Sequence, residues 1–120
     1  MKKNYVIIDL EMCKVPFGRR NDVAQLRVEI IEIGAVLVDE NLEIIDQFKT
    51  FVTPEFRKLD SYIKKLTGIQ ETDLMGSPNF KDAINEFIKW ITKDAEIVSW
   101  SENDKNQIEY ELFVKKIDID

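Results

Sequence analysis

The spacing of apolar and polar positions changes period several times along this chain, and those changes divide it into elements. Tyr5 to Met12 opens with Tyr5-Val6-Ile7-Ile8, a run of β-formers that reads as a buried strand. Val28 to Val38 is longer and β-branched, with Ile30, Ile31, Ile33, Val36, Leu37 and Val38. It is too apolar for a surface helix and predicts a central strand, in which Gly34 marks a close backbone approach or a bulge. Asp39-Glu40-Asn41 is a turn, and Glu43 to Val52 returns as a third strand carrying Ile45, Phe48 and Phe51. Strands joined by such short connections form an antiparallel meander.

The period then lengthens. Asp60 or Ser61 can cap a short helix through Leu66, with Gly68 as its left-handed stop. Ile69 to Gly76 is a connection with room for one helical turn. Ser77-Pro78 supplies a cap and a proline at the first helical position. The amphipathic helix that follows places Phe80, Ile84, Phe87, Ile88 and Ile91 on one face. Glu96 to Trp100 is a short apolar strand. Ser101 or Asn103 then caps a last helix with Ile108, Leu112, Phe113 and Ile117 inward. The order β-β-β-α-α-β-α predicts one α/β domain over residues 1–120, its fourth strand parallel to a strand of the meander.

Composition narrows the partners more than the fold. A hydrophobic share of 44% and a charged share of 33% suit a soluble globular chain. Its 120 residues can bury about 65% of the unfolded surface in one core. No segment reads as a signal peptide or a membrane span, so a cytoplasmic protein without a membrane partner is expected. Cys13 stands alone, which excludes an internal disulfide and fits a reducing compartment. A net charge of −6 argues against a broad basic face for nucleic acid, yet leaves room for one or two nucleotides gripped through metal ions. The polar loop from Lys14 to Gln25 holds Pro16, Gly18, Arg19 and Arg20, either as a solvated loop or as a positive rim for phosphates. The chain has no histidine, which removes any imidazole base and any Cys–His nucleophile.

Two carboxylates interrupt the first strand. Alternate side chains of a strand share a face, so Asp9 and Glu11 point the same way, roughly 6–7 Å apart. Paired acids at the end of an apolar strand repel and are costly to desolvate, which calls for a cation, and a divalent metal answers that. The same pair also fits a strand emerging into solvent. A third acid, Asp104, stands where the fourth strand hands over to the last helix, in Trp100-Ser101-Glu102-Asn103-Asp104. With the fourth strand beside the first, Asp104 would face Asp9 and Glu11, at the carboxyl ends where open α/β sheets place ligands. An acid in a first helical turn is equally what capping and the helix dipole favour.

Taken together, these residues resemble the N-terminal part of the DEDD-type 3′–5′ exonucleases. Ile8-Asp9-Leu10-Glu11 matches their first motif, Leu66-Thr67-Gly68-Ile69 the segment after the first helix, and Trp100 to Asp104 the second motif. The helix from Phe80 to Ile91 is similar to the one that precedes that motif. The resemblance implies a ribonuclease H-like mixed sheet of order 3-2-1-4-5, with strands 1–3 antiparallel, strand 4 parallel to strand 1, and flanking helices. It implies hydrolysis of nucleic acid from the 3′ end to nucleoside 5′-monophosphates, with two ions of Mg²⁺ or Mn²⁺ at the terminal phosphodiester. Asp9 would bridge both ions, Glu11 would hold the one on the nucleophile side, and Asp104 the other. Backbone near Met12 and Cys13 would meet the terminal nucleotide of a single-stranded DNA or RNA, while Val15, Pro16 and Leu66 would pack against terminal bases. Leu66 and Ile69 also read as core residues.

One departure qualifies the resemblance. The family carries a third motif on its last helix, a histidine and, shortly after it, a fourth metal-binding aspartate. Neither is found here after Asp104, and Asp118 and Asp120 come too soon to replace the aspartate. The fifth strand and final helix are expected to be missing, so this polypeptide alone should be weak or inactive. Its fourth strand would then be an open apolar edge, inviting a homodimer or a complementing fragment. Two other readings stay open: a non-catalytic module binding nucleotide, metal or protein on the same fold, and an unrelated phosphatase-like hydrolase with Asp9 as nucleophile.

Overall fold

Along the first strand Val6, Ile8 and Leu10 are buried while Ile7 and Asp9 between them are more open, the alternation of a strand with one face in a core. The computed structural model describes residues 3–14, 28–55, 61–91, 95–99, 102–115 and 117. Val15, Pro16, the Arg19-Arg20 loop, Asp60, Trp100, Ser101, Asp118 and Asp120 lie outside the described residues.

Three strands come first: β1 (Asn4–Lys14), β2 (Val28–Val38) and β3 (Ile44–Phe51). They form the expected antiparallel meander, in which Asp9 lies opposite Gly34 and Glu11 opposite Glu32. Three helices follow, α1 (Ser61–Thr67), α2 (Glu71–Leu74) and α3 (Phe80–Trp90), then β4 (Ala95–Ser99) and α4 (Glu102–Val114). β4 runs parallel to β1, from Asn4↔Ala95 to Ile8↔Ser99. The sheet order is β3-β2-β1-β4, the mixed topology read from the sequence. No helix among the described residues is long and apolar enough to cross a membrane.

The main core joins Val6, Ile8, Leu10, Ile33 and Leu37 of the sheet to Phe80, Ala83, Ile84 and Phe87 of α3, with Ile108 and Leu112 of α4 packed against it. A second cluster holds Cys13, Ile31, Ile63, Ile69 and Leu74, which brings α1 and α2 onto the end of β1. Cys13 is fully buried. Gly68 ends α1 with φ 78°, a left-handed conformation that costs a side-chain-bearing residue about 1 kcal/mol or more.

Several local expectations are corrected. The N-cap of α3 is Asn79, whose Oδ1 accepts the Asp82 N–H at 2.8 Å. Ser77 does not cap, because its hydroxyl is taken by the Leu74 carbonyl at 2.7 Å and the Thr53 hydroxyl at 2.6 Å. Asn103 lies inside α4 and so cannot be its cap. Phe113, expected inward, is 75% exposed, because the inward stripe of α4 runs through Asp104, Gln107 and Glu111 instead. Ile45 is exposed on β3, a terminal strand of the described sheet. Of the two readings of Gly34, close approach holds, since a Cβ there would sit 3.4 Å from the Asp9 carbonyl oxygen; the register shift between β1 and β2 falls instead between Glu11 and Met12.

Candidate active site

Asp9 and Glu11 lie where β1 outruns β4. The parallel ladder ends at Ile8↔Ser99, whereas β1 continues to Lys14. The ladder with β4 therefore stops one residue before Asp9, the first of the two carboxylates. α4 begins immediately beyond β4, and Asp104 in its first turn is buried. Topology thus delivers a residue from near the end of the chain to the acids of the first strand.

The electrostatics record that convergence. Glu11 is held above the usual carboxylate range by burial first, then by the negative charges of Asp9, Glu32 and Asp104. Asp104 is raised by burial and by Asp9. Glu32 is raised mainly by burial, with Asp9 and Asp73 adding to it and Lys49 opposing. Among the described residues no ion pair reaches Asp9, Glu11 or Asp104. Like charges gathered without a counter-cation are hard oxygen donors suited to Mg²⁺ or Mn²⁺. No group of three or more acidic, cysteine or histidine side chains among the described residues is set to hold a single ion. The charges of these acids nonetheless act on one another, Asp9 on Glu11 and Asp104, and Asp104 on Glu11.

The remaining candidates divide. Leu66 is 66% exposed and takes no part in the core, whereas Ile69 is buried in the second cluster. Met12 packs partly against the main core, and the Cys13 side chain is buried, so at these positions the backbone is what a ligand could reach. Val15 and Pro16 lie outside the described residues.

Sequence reasoning missed a second charged group. Glu29 and Glu111 are fully buried, and Lys115 Nζ lies 3.0 Å from Glu29 Oε2 and 3.8 Å from Glu111 Oε1. The Ile30 N–H donates to Glu111 Oε1 at 2.9 Å, and Gln107 Nε2 donates to the Val28 carbonyl at 2.9 Å. The signal was available: Glu29 and Glu32 break an apolar strand, and Glu111 sits between Ile108 and Leu112 on a helix that turns those positions inward.

With this geometry in view, comparison with known proteins is specific. The family model described as Exonuclease matches residues 6–115. The chain is 32% identical over 103 residues to the DNA polymerase III PolC-type of Caldanaerobacter subterraneus subsp. tengcongensis, covering 86% of this chain and 7% of that one. It is 31% identical over 100 residues to the DNA polymerase III subunit epsilon of Aquifex aeolicus, covering 83% of this chain and 45% of that one. Among solved structures, the nuclease domain of 3′hExo, a DEDDh family member bound to rAMP, superposes with a TM-score of 0.78 at 24% identity, covering 96% of this chain and 60% of that one. The chain thus spans less than half the length of these two curated relatives.

Proposed function

We propose a specific reading from one premise: this chain belongs to the DEDD-type 3′–5′ exonuclease family, whose members are phosphodiester hydrolases. In this reading residues 1–120 are one incomplete exonuclease domain. Asp9, Glu11 and Asp104 hold two divalent ions, Mg²⁺ or Mn²⁺, at the 3′ end of a single-stranded nucleic acid, and cleavage yields nucleoside 5′-monophosphates. What supports it is that α4 starts just past the end of β4, which pairs with β1 up to Ile8, and that the charge of Asp9 acts on buried Asp104 and that of Asp104 on Glu11, without a cation partner among the described residues.

Bound there, such ions supply activation of the attacking water and charge stabilisation at the leaving oxygen. The chain's own residues do the rest. By the family motif Asp9 would be the ligand shared by both ions, with Glu11 on the nucleophile side and Asp104 on the other. The β1 backbone at Met12 and Cys13, beyond the last pair with β4, meets the terminal nucleotide, and exposed Leu66 packs against a base, a role the family motif also implies for Val15 and Pro16. The imidazole base that the family's third motif supplies to take the proton from water is lacking, since these 120 residues contain no histidine. That costs about 10²- to 10⁴-fold in rate, so the chain alone is a weak or inactive nuclease. The same feature, with no group of three or more ligands among the described residues, favours a second reading, a metal- and nucleotide-binding module without catalysis. The protein works in the cytoplasm in either case.

A Mn²⁺-dependent assay on 3′-labelled single strands separates the two. Slow release of mononucleotides, abolished in Asp9→Asn, supports the nuclease; Mn²⁺ binding with no release supports the binding module. Neutralising Asp9 should also relieve repulsion, raising the metal-free unfolding temperature while removing its rise with added Mn²⁺. Equal Mn²⁺ affinity in Asp9→Asn and the parent chain would show that the site lies elsewhere.

A further inference from the structure

α4 is fastened to the beginning of β2 by polar side chains on the face that carries Asp104. Asp104, Gln107 and Glu111 recur at i, i+3 and i+7, one stripe of a helix, and Lys115 follows one turn later. Each of the last three reaches a different point of the strand: Gln107 the Val28 carbonyl at 2.9 Å, Glu111 the Ile30 N–H at 2.9 Å, and Lys115 the Glu29 carboxylate at 3.0 Å. Glu29 Oε2 also accepts the Glu55 N–H at 2.9 Å, so the group extends to the segment after β3.

The place of attachment matters. Ile30 pairs with Met12, the first pair beyond the register shift that follows Glu11. Two residues along β2, Glu32 pairs with Glu11, and Gly34 pairs with Asp9. Apolar contacts from Ile108 and Leu112 hold α4 on the core, but such contacts are non-directional and tolerate a small slide or turn of the helix. A hydrogen bond from one strand N–H to one carboxylate oxygen weakens steeply with misalignment and does not. Nor does stability explain the group, because apolar side chains of similar volume commonly serve as well as a buried charge cluster.

We propose that Gln107 and Glu111 are positioning residues, which fix the rotation and height of α4 on Val28 and Ile30 and so set Asp104 against Asp9 to share a divalent cation. The proposal rests on the reading of Asp9, Glu11 and Asp104 as metal ligands. Gln107 and Glu111 touch no ion themselves; they act through Asp104.

Mn²⁺ titration of the full 120-residue chain by calorimetry tests it. Gln107→Ala and Glu111→Ala should each weaken Mn²⁺ binding about tenfold, the usual scale for residues that orient a metal ligand. Glu111→Gln keeps an oxygen acceptor for the Ile30 N–H and should restore affinity to within about twofold. Asn106→Ala, next to Gln107 but exposed, should leave affinity unchanged, as should Ile88→Ala, which loosens the core on α3. Should Glu111→Ala fail to fold, the folded Gln107→Ala chain decides. Parental affinity in Gln107→Ala overturns the proposal, and so does an equal loss in Ile88→Ala, which would mark general destabilisation. If the parent chain and Asp104→Asn bind Mn²⁺ alike, the ligand reading itself fails and takes this inference with it. Parental binding that depends on Asp104 but not on Gln107 or Glu111 overturns the positioning role alone.

Discussion

At the scale of single residues, the main-core charges behave differently from the acids of the site. Glu111 is fully buried, and its carboxyl is pushed up to about 7, first by burial and then by Glu29, against the opposing pull of Lys115, the Ile30 N–H and Gln107. The folded chain therefore keeps a proton on Glu111 at pH values where the unfolded chain, near 4.5, has released it. This group favours folding fully below about pH 4.5, and that contribution is lost as pH rises through about 7. Glu111→Gln has no such proton. Urea unfolding across this range should show the parent chain losing stability relative to the variant by roughly 3 kcal/mol at most, and parallel curves would refute the shift. Glu11 and Asp104 are raised by burial too, but with the negative charge of Asp9 added and no ion pair among the described residues opposing it. That repulsion is a standing cost, which under the proposed function a bound cation would turn into affinity.

At the scale of elements, most of the pattern was legible because burial on one face writes itself into the spacing of apolar residues. β2 runs over the residues expected, since eleven consecutive positions without a helical stripe leave little choice. Ends were harder. Ser77-Pro78 carries the residue types of a helix start, yet the cap is Asn79, because Ser77 is drawn into bonds with Thr53 and Leu74 that join α2 to the segment after β3. Asn79→Ala should accordingly cost about 1 kcal/mol, the usual worth of an N-cap, in chemical denaturation. If Asn79→Ala is neutral, the helix is capped by other means. The inward stripe of α4 was misjudged for a related reason. Phe113 is the more apolar residue, but hydrogen bonds from Gln107 and Glu111 fix the helical phase and turn it outward.

For the whole molecule, the feature with consequences is β4, a terminal strand of the described sheet with Ile97 and Val98 exposed at 51% and 41%. An apolar strand at a sheet edge is a template for further pairing. A second copy of the chain or a complementing fragment is the proposed occupant. Val98→Lys, which places a charge on that strand, should reduce concentration-dependent association in sedimentation velocity; unchanged association would move the contact elsewhere.

What the sequence determined by itself was the alphabet of the site and the order of the elements. Asp9 and Glu11 are placed on one face by the two-residue period of a strand, whatever surrounds them. The crossover from α3 into β4 follows from a helix between strands, but that β4 pairs with β1, and so carries the start of α4 toward Asp9, was decided by the sheet. Tertiary structure alone decided which charges are exposed and which are locked away. Glu29, Glu32 and Glu111 look alike in the chain, yet Glu29 and Glu111 are sealed around Lys115, while Glu32 stands opposite Glu11 beside the site. The reason is physical: a carboxylate's role depends on water and on the partners within a few ångströms, and those partners come from β2, α4 and the end of β3, segments far apart in sequence.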